Sequence, residues 1–172
     1  MENILITTIC KSDTNTFNEL AKLAGKYDCH ISFSHVYTLG LDNTITAQVA
    51  GNWSGIAKIE AALPALAKSL DIEVVYKRSH QEKVERYFLP YNIEIVAVDQ
   101  PGVVHEITEF FTSLEVFTQY LVILTSMHQQ TPILKIQMQI DLPADNNIAD
   151  IREQFLIFCD ELNLDGIMEP QK

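Results

Sequence analysis

The sequence predicts an α+β protein made of two βαββαβ units, each an antiparallel sheet with both helices packed on one face. Three observations carry that expectation. Apolar runs with strand-like and helix-like spacing follow one another in the order strand, helix, strand, strand, helix, strand, and then the order repeats. Leu134, Ile136, Met138, Ile140 and Leu142 alternate without a break against Lys135, Gln137, Gln139 and Asp141, so one face of that strand is buried and the other is wet. Sliding the first unit forward by 87 positions places Cys10 on Ala97, Leu20 on Ile107 and Tyr27 on Leu114, so apolar positions coincide where identities do not. The order is that of the ferredoxin-like split motif.

In the first unit, Ile4–Cys10 reads as a strand. Asp13 or Thr14 is a candidate cap for a helix with Phe17, Leu20, Ala21, Ala24 and Tyr27 on its apolar side, and Gly25 and Asp28 mark its end. Strands Ile31–Leu39 and Thr44–Ala50 follow, joined by the turn formers of Gly40-Leu41-Asp42-Asn43. A second helix carries Ile56, Ile59, Leu63, Leu66 and Leu70. Ser54 is its expected N-cap, Trp53 its hydrophobic staple, and Pro64 is expected to kink or divide it. Asp71–Tyr76 reads as the closing strand. The charged stretch Lys77–Glu85 lacks apolar periodicity and is the natural linker, so the expected division is 1–78, a linker at 79–86, and 87–172.

The second unit opens with Ile93, Ile95 and Ala97 on one side of a strand and Val96 and Val98 on the other. A turn at Asp99-Gln100-Pro101-Gly102 leads into a helix whose face is Val103, Ile107, Phe110, Phe111 and Leu114. Strands at Gln119–Thr125 and Ile133–Leu142, separated by a loop at Gln129–Ile133, precede a helix with Ile148, Ile151, Phe155, Phe158 and Leu162. Gly166–Glu169 is the last strand. Open sheet faces and edge strands make association of the halves, and of two chains into a homo-oligomer, an expectation of this architecture.

Composition narrows the function. A formal charge of −11 and a pI near 4.7 argue against a direct reader of nucleic-acid phosphates, which relies on Lys and Arg clusters. The start, MENILITTICKSD, has an early acid and a short apolar run, so a cytoplasmic protein with neither secretory signal nor membrane span is expected. Cys10, Cys29 and Cys159 are odd in number and set in apolar patterns, as befits reduced core thiols. No Cys or His spacing points to a metal, and no cofactor is expected. His30, His35, His80 and His128 are scattered singly, and His105 is expected on the surface.

The stretch with chemistry is the strand, turn and helix from Tyr91 to Leu114. Pro101 and Gly102 stop the strand and let amide N–H groups gather at the front of the helix, a place that favours a carboxylate. This segment, with Asp99-Gln100-Pro101-Gly102-Val103-Val104, resembles the ACT domain, a regulatory module whose D-x-P-G loop binds amino acids. The duplication, the early first strand, Tyr37-Thr38-Leu39-Gly40 and Gly51-Asn52-Trp53 look like the glycine cleavage system transcriptional repressor family. That resemblance implies an accessory regulator that senses an amino acid, glycine foremost, and opposes a DNA-binding activator by protein contact. The implied site is Asp99, Gln100, Pro101, Gly102, Val103 and Val104, with N–H groups around Gly102 and Val103 on the ligand carboxylate and Asp99 or a strand carbonyl on its ammonium. The first unit departs from the pattern, because Lys11-Ser12-Asp13-Thr14-Asn15 holds neither Pro nor Gly. The alternatives are an allosteric regulatory subunit of an amino-acid metabolic enzyme and, as an enzyme, an acylphosphatase-like hydrolase. The hydrolase would need a cationic group in this loop, where the sequence puts Asp99.

Overall fold

The computed structural model describes residues 1–12, 14–79, 88–114, 116–144 and 146–171. The chain divides into two compact units, Met1–Lys83 and Val84–Lys172. In the first, the elements are β1 (Glu2–Lys11), α1 (Thr16–Lys26), β2 (His30–Leu39), β3 (Asp42–Gly51), α2 (Trp53–Leu70) and β4 (Glu73–Ser79). In the second they are β5 (Phe88–Val98), α3 (Val103–Ser113), β6 (Phe117–His128), β7 (Thr131–Pro143), α4 (Ile148–Leu162) and β8 (Asp165–Pro170). The sheets run β2-β3-β1-β4 and β6-β7-β5-β8, with every neighbouring pair antiparallel. This is the expected α+β architecture, stated twice.

Strand alternation decides which face meets the helices. Ile4, Ile6, Thr8 and Cys10 of β1 are buried, and Leu5 and Ile9 between them are exposed. Tyr91, Ile93, Ile95 and Ala97 of β5 repeat that pattern. Each unit has its own core. The first is aliphatic, around Ile4, Ile6, Leu20, Ile56, Ile59 and Leu63. The second adds an aromatic seam in which the rings of Phe110 and Phe158 stack at 4.5 Å and Phe111 lies 5.9 Å from Phe155. Burying one such side chain contributes roughly 1.5–3 kcal/mol.

Several local expectations are corrected. The N-cap of α2 is Asn52, whose side chain accepts the Gly55 N–H at 2.7 Å, and Ser54 lies inside the helix. Trp53 is no staple: it is 66% exposed, with the Arg78 guanidinium 5.8 Å from its ring centre. Pro64 does not divide α2, because the proline sits on the exposed side, where water can serve the carbonyl its ring leaves unpaired. Asn15 occupies the cap position of α1, without a side-chain bond. Thr14 instead donates to the Lys11 carbonyl at 2.7 Å, and Asp13 lies outside the described residues.

The linker begins later than its charges imply. Lys77, Arg78 and Ser79 belong to β4, held in register by β1 and by two Arg78–Glu60 hydrogen bonds of 2.9 and 2.7 Å. The remaining linker positions, 80–86, lie outside the described residues. Both hairpins turn more tightly than expected, over Gly40-Leu41 and Gln129-Gln130, and Pro132 is part of β7 rather than a loop residue.

The single repeat offset also fails. It is 87 from α1 to α3 (103 − 16), 89 from β3 to β7 (131 − 42), and 92 at the caps closing α2 and α4 (163 − 71), because the second hairpin and β7 are longer.

Candidate functional site: the cleft at the front of α3

β5 carries the chain to Asp99, where two bonds brace the loop. The Asp99 N–H donates to the Pro132 carbonyl at 2.9 Å, and its Oδ2 accepts from the Thr125 hydroxyl at 3.1 Å. Asp99 is therefore tied to the β6–β7 hairpin. Gly102 is the N-cap of α3 at φ 98°, a backbone state that side chains rarely adopt. Having no side-chain oxygen, Gly102 leaves the front of the helix uncapped. The Val103 N–H closes onto the Gln100 carbonyl at 3.3 Å, so the N–H groups of Val104 and His105 are the helix donors with no acceptor among the described residues.

A cleft of about 230 Å³ opens beside this turn. Its floor is the end of β5, Ala97 and Val98, and one wall is Gln100, Pro101, Val103 and Glu106. The opposite wall is the closing end of α4, Leu162, Asn163 and Leu164. Asn163 turns into the left-handed region at φ 54°. Its N–H and that of Leu164 take the Asp160 and Cys159 carbonyls at 3.3 and 2.8 Å. The cleft thus lies between the positive front of one helix and the negative rear of another, with Glu106 as the carboxylate in its lining.

Of the expected residues, Gln100, Pro101 and Val103 line this cleft. Asp99, Gly102 and Val104 shape the loop around it. Sequence reasoning missed Glu106 and the Leu162–Leu164 wall. Glu106 was legible as the residue three after Val103, on the same side of the helix. The α4 wall was not, since 60 residues separate Val103 from Asn163 in the chain (163 − 103). His105 is exposed, with Nε2 3.6 Å from Glu109.

The three thiols are free and buried. Burial pushes Cys159 up to about 11, with Asp160 and Asp165 adding to the shift, and burial and then Asp28 raise Cys29. Raised values keep Cys29 and Cys159 protonated near neutrality, the wrong state for a nucleophile.

Residues 2–77 match the ACT domain family. The second unit repeats the same strand order and carries the D-x-P-G loop. The ACT match covers the first unit, and the second shares its fold. The glycine cleavage system transcriptional repressor of Escherichia coli (strain K12) is 25% identical over 165 residues, spanning 95% of this chain and 87% of the relative, and the Shigella flexneri protein of that name matches equally. A crystal structure provisionally assigned as a glycine cleavage system transcriptional repressor superposes with a TM-score of 0.76 at 20% identity, over 99% of this chain and 98% of that one. A protein of unknown function from Galdieria sulphuraria gives 0.80 at 13% identity, over 99% of both chains. Likeness at those identities concerns the fold. The ACT match falls on the unit without Asp99-Gln100-Pro101-Gly102.

Proposed function

We propose that this chain is a cytoplasmic, amino-acid-responsive regulator that binds glycine in the second unit's cleft and represses glycine-cleavage genes through contact with a DNA-binding activator. One observation carries the reading: the cleft has the front of α3, which also carries Glu106, on one side and the rear of α4 on the other. A zwitterion needs donors for its carboxylate and acceptors for its ammonium. The free N–H groups at the front of α3 supply the first, and Glu106 with the closing carbonyls of α4 supplies the second, each helix end contributing about 0.3–1 kcal/mol. The small volume favours a small amino acid. The relatives named as glycine cleavage repressors support the choice of glycine and of transcription as the process. The chain's charge of −11 supports an activator, rather than this protein, as the DNA-binding partner.

This reading makes the protein a binding module rather than an enzyme. A homo-oligomer belongs to it as well. β2 and β6 are edge strands of 10 and 12 residues without a Lys, Arg, Asp or Glu, whereas β4 and β8, the opposite edges, are shorter and charged. Long uncharged edges invite strand pairing with another copy.

For regulation, glycine must bind the activator-bound and free forms unequally, since equal affinity shifts nothing. Calorimetry with glycine should give one site per chain, lost in Gly102→Asp, whose carboxylate would fill the helix front and repel the ligand. Saturating glycine should then change the affinity for the activator. Glycine affinity untouched by Gly102→Asp would refute the placement, and activator affinity untouched by glycine would refute the coupling.

A further inference from the structure

We propose that the outer faces of α2 and α4 are complementary docking surfaces for a second copy of this chain, with α2 of one copy lying antiparallel on α4 of the next. This contact is separate from the glycine site and from pairing of the β2 and β6 edges.

At the offset of 92 that relates the ends of these helices, every charged residue of α2 has one of opposite sign at the matching position of α4. Lys58 matches Asp150, Glu60 matches Arg152, and Lys68 matches Asp160. In each helix the residue of minority charge is tied to its own sheet. Arg78 of β4 holds Glu60 through bonds of 2.9 and 2.7 Å, and Arg152 donates to the Met168 carbonyl of β8 at 3.1 Å. The remaining charges are of one sign per helix. Those of α2 are Lys58 and Lys68; those of α4 are Asp150, Glu153, Asp160 and Glu161. All six are exposed, and among the described residues none of them forms an ion pair.

The shapes differ in a complementary sense. Between its lysines α2 exposes Ala61, Pro64 and Ala65, all small. At the positions matching Pro64 and Ala65, α4 raises Leu156 and Ile157, 57% and 51% exposed. Small side chains let a neighbouring helix approach closely, and large ones on that neighbour fill the space between. Lys58 and Lys68 are ten residues apart (68 − 58), about 15 Å along the axis, and so are Asp150 and Asp160 (160 − 150). An antiparallel arrangement centred between them brings Lys58 to Asp160 and Glu161, Lys68 to Asp150 and Glu153, and Ile157 to Ala61. It also opposes the two helix dipoles.

Charge complementarity selects the partner. A net charge of −11 makes copies repel one another at long range, so contact requires a local match, and this chain carries both halves of one. The interface is heterologous, α2 against α4, and it closes as a pair or as a ring.

Sedimentation equilibrium of the full chain at low ionic strength tests this contact. The native protein should self-associate. Lys58→Glu/Lys68→Glu and, separately, Glu153→Lys/Asp160→Lys/Glu161→Lys should each raise the dissociation constant about tenfold or more, because attraction across the contact becomes repulsion. An equal mixture of the two variants should recover association, since each supplies the face that the other has lost. Lys22→Glu/Lys26→Glu, the same change in net charge as the first variant but placed on α1, should leave the constant nearly unchanged. All these positions are exposed, so the fold should persist, which circular dichroism checks. A native chain that stays monomeric at every concentration would overturn the assignment, as would a mixture no tighter than either variant alone. Association indifferent to both reversals would also overturn it and leave the strand edges as its basis. Reversals that spare self-association and weaken activator binding would give these faces to the activator instead.

Discussion

The two units share one topology and differ at matched positions, and the differences are compensated locally. At the positions matched by the offset of 92, the first unit has Ala67 on α2 and Val74 on β4, where the second has Cys159 packed against Gly166. A Cβ on Gly166 would stand 2.4 Å from the Cys159 sulfur, so the larger helix residue requires the missing strand side chain. Likewise Phe110, Phe111, Phe155 and Phe158 stand where the first unit has Leu23, Ala24, Leu63 and Leu66. Close packing enforces such reciprocal changes, because an interior tolerates neither overlap nor a void. The clefts, the one beside α3 and one of about 400 Å³ where the end of β1 meets the end of α2, carry no such constraint. Their linings are largely exposed, so one could hold a single carboxylate beside free amides and the other five charged side chains without disturbing either core.

The sharpest break in the comparison is the cap of the first helix. Gly102→Ala forces a side chain to φ 98° and should destabilise the second unit by about 1–3 kcal/mol. Asn15→Ala, at the matched position with φ −85° and no side-chain cap bond, should cost no more than about 0.5 kcal/mol. Urea denaturation of both variants checks this, and equal losses would mean the loops are equivalent after all.

The next effect is alkaline. Cys159 has its folded pKa raised from about 9 to about 11, so its contribution is complete below pH 9 and is lost as pH rises towards 11, amounting to about 2 kcal/mol there. The first unit has Ala67 at that position. Melting temperatures between pH 8 and 11 should fall more steeply for the native protein than for Cys159→Ala; parallel slopes would show that the thiol titrates normally.

The smallest expected effect is a gain. The Thr8 hydroxyl is fully buried with no hydrogen-bond partner among the described residues, where the second unit has Ile95. Thr8→Val should therefore stabilise the first unit by about 1 kcal/mol in the same denaturation measurement. A loss of stability would reveal a partner for that hydroxyl.

Alternation and helical spacing determined, from the sequence alone, the class, the element order and the buried face of each strand, since side-chain period depends only on local backbone geometry. Ile4 and Ile6, Leu134 to Leu142, and Ile107 with Phe111 were legible for that reason. So was the turn at Pro101 and Gly102. Tertiary structure decided the matters that depend on partners distant in sequence. Lys77 to Ser79 look like linker until β1 supplies a ladder, and the bonds that tie Asp99 to Thr125 and the Pro132 carbonyl are visible only in the fold. Glu106 and Asn163 form one cleft because the sheet brings the front of α3 and the rear of α4 together. Lys11, Lys68 and Asp71 are three unremarkable surface charges in the sequence. The pairing of β1 with β3 and β4 and the packing of α2 make them neighbours, and periodicity along a single chain carries no record of that convergence.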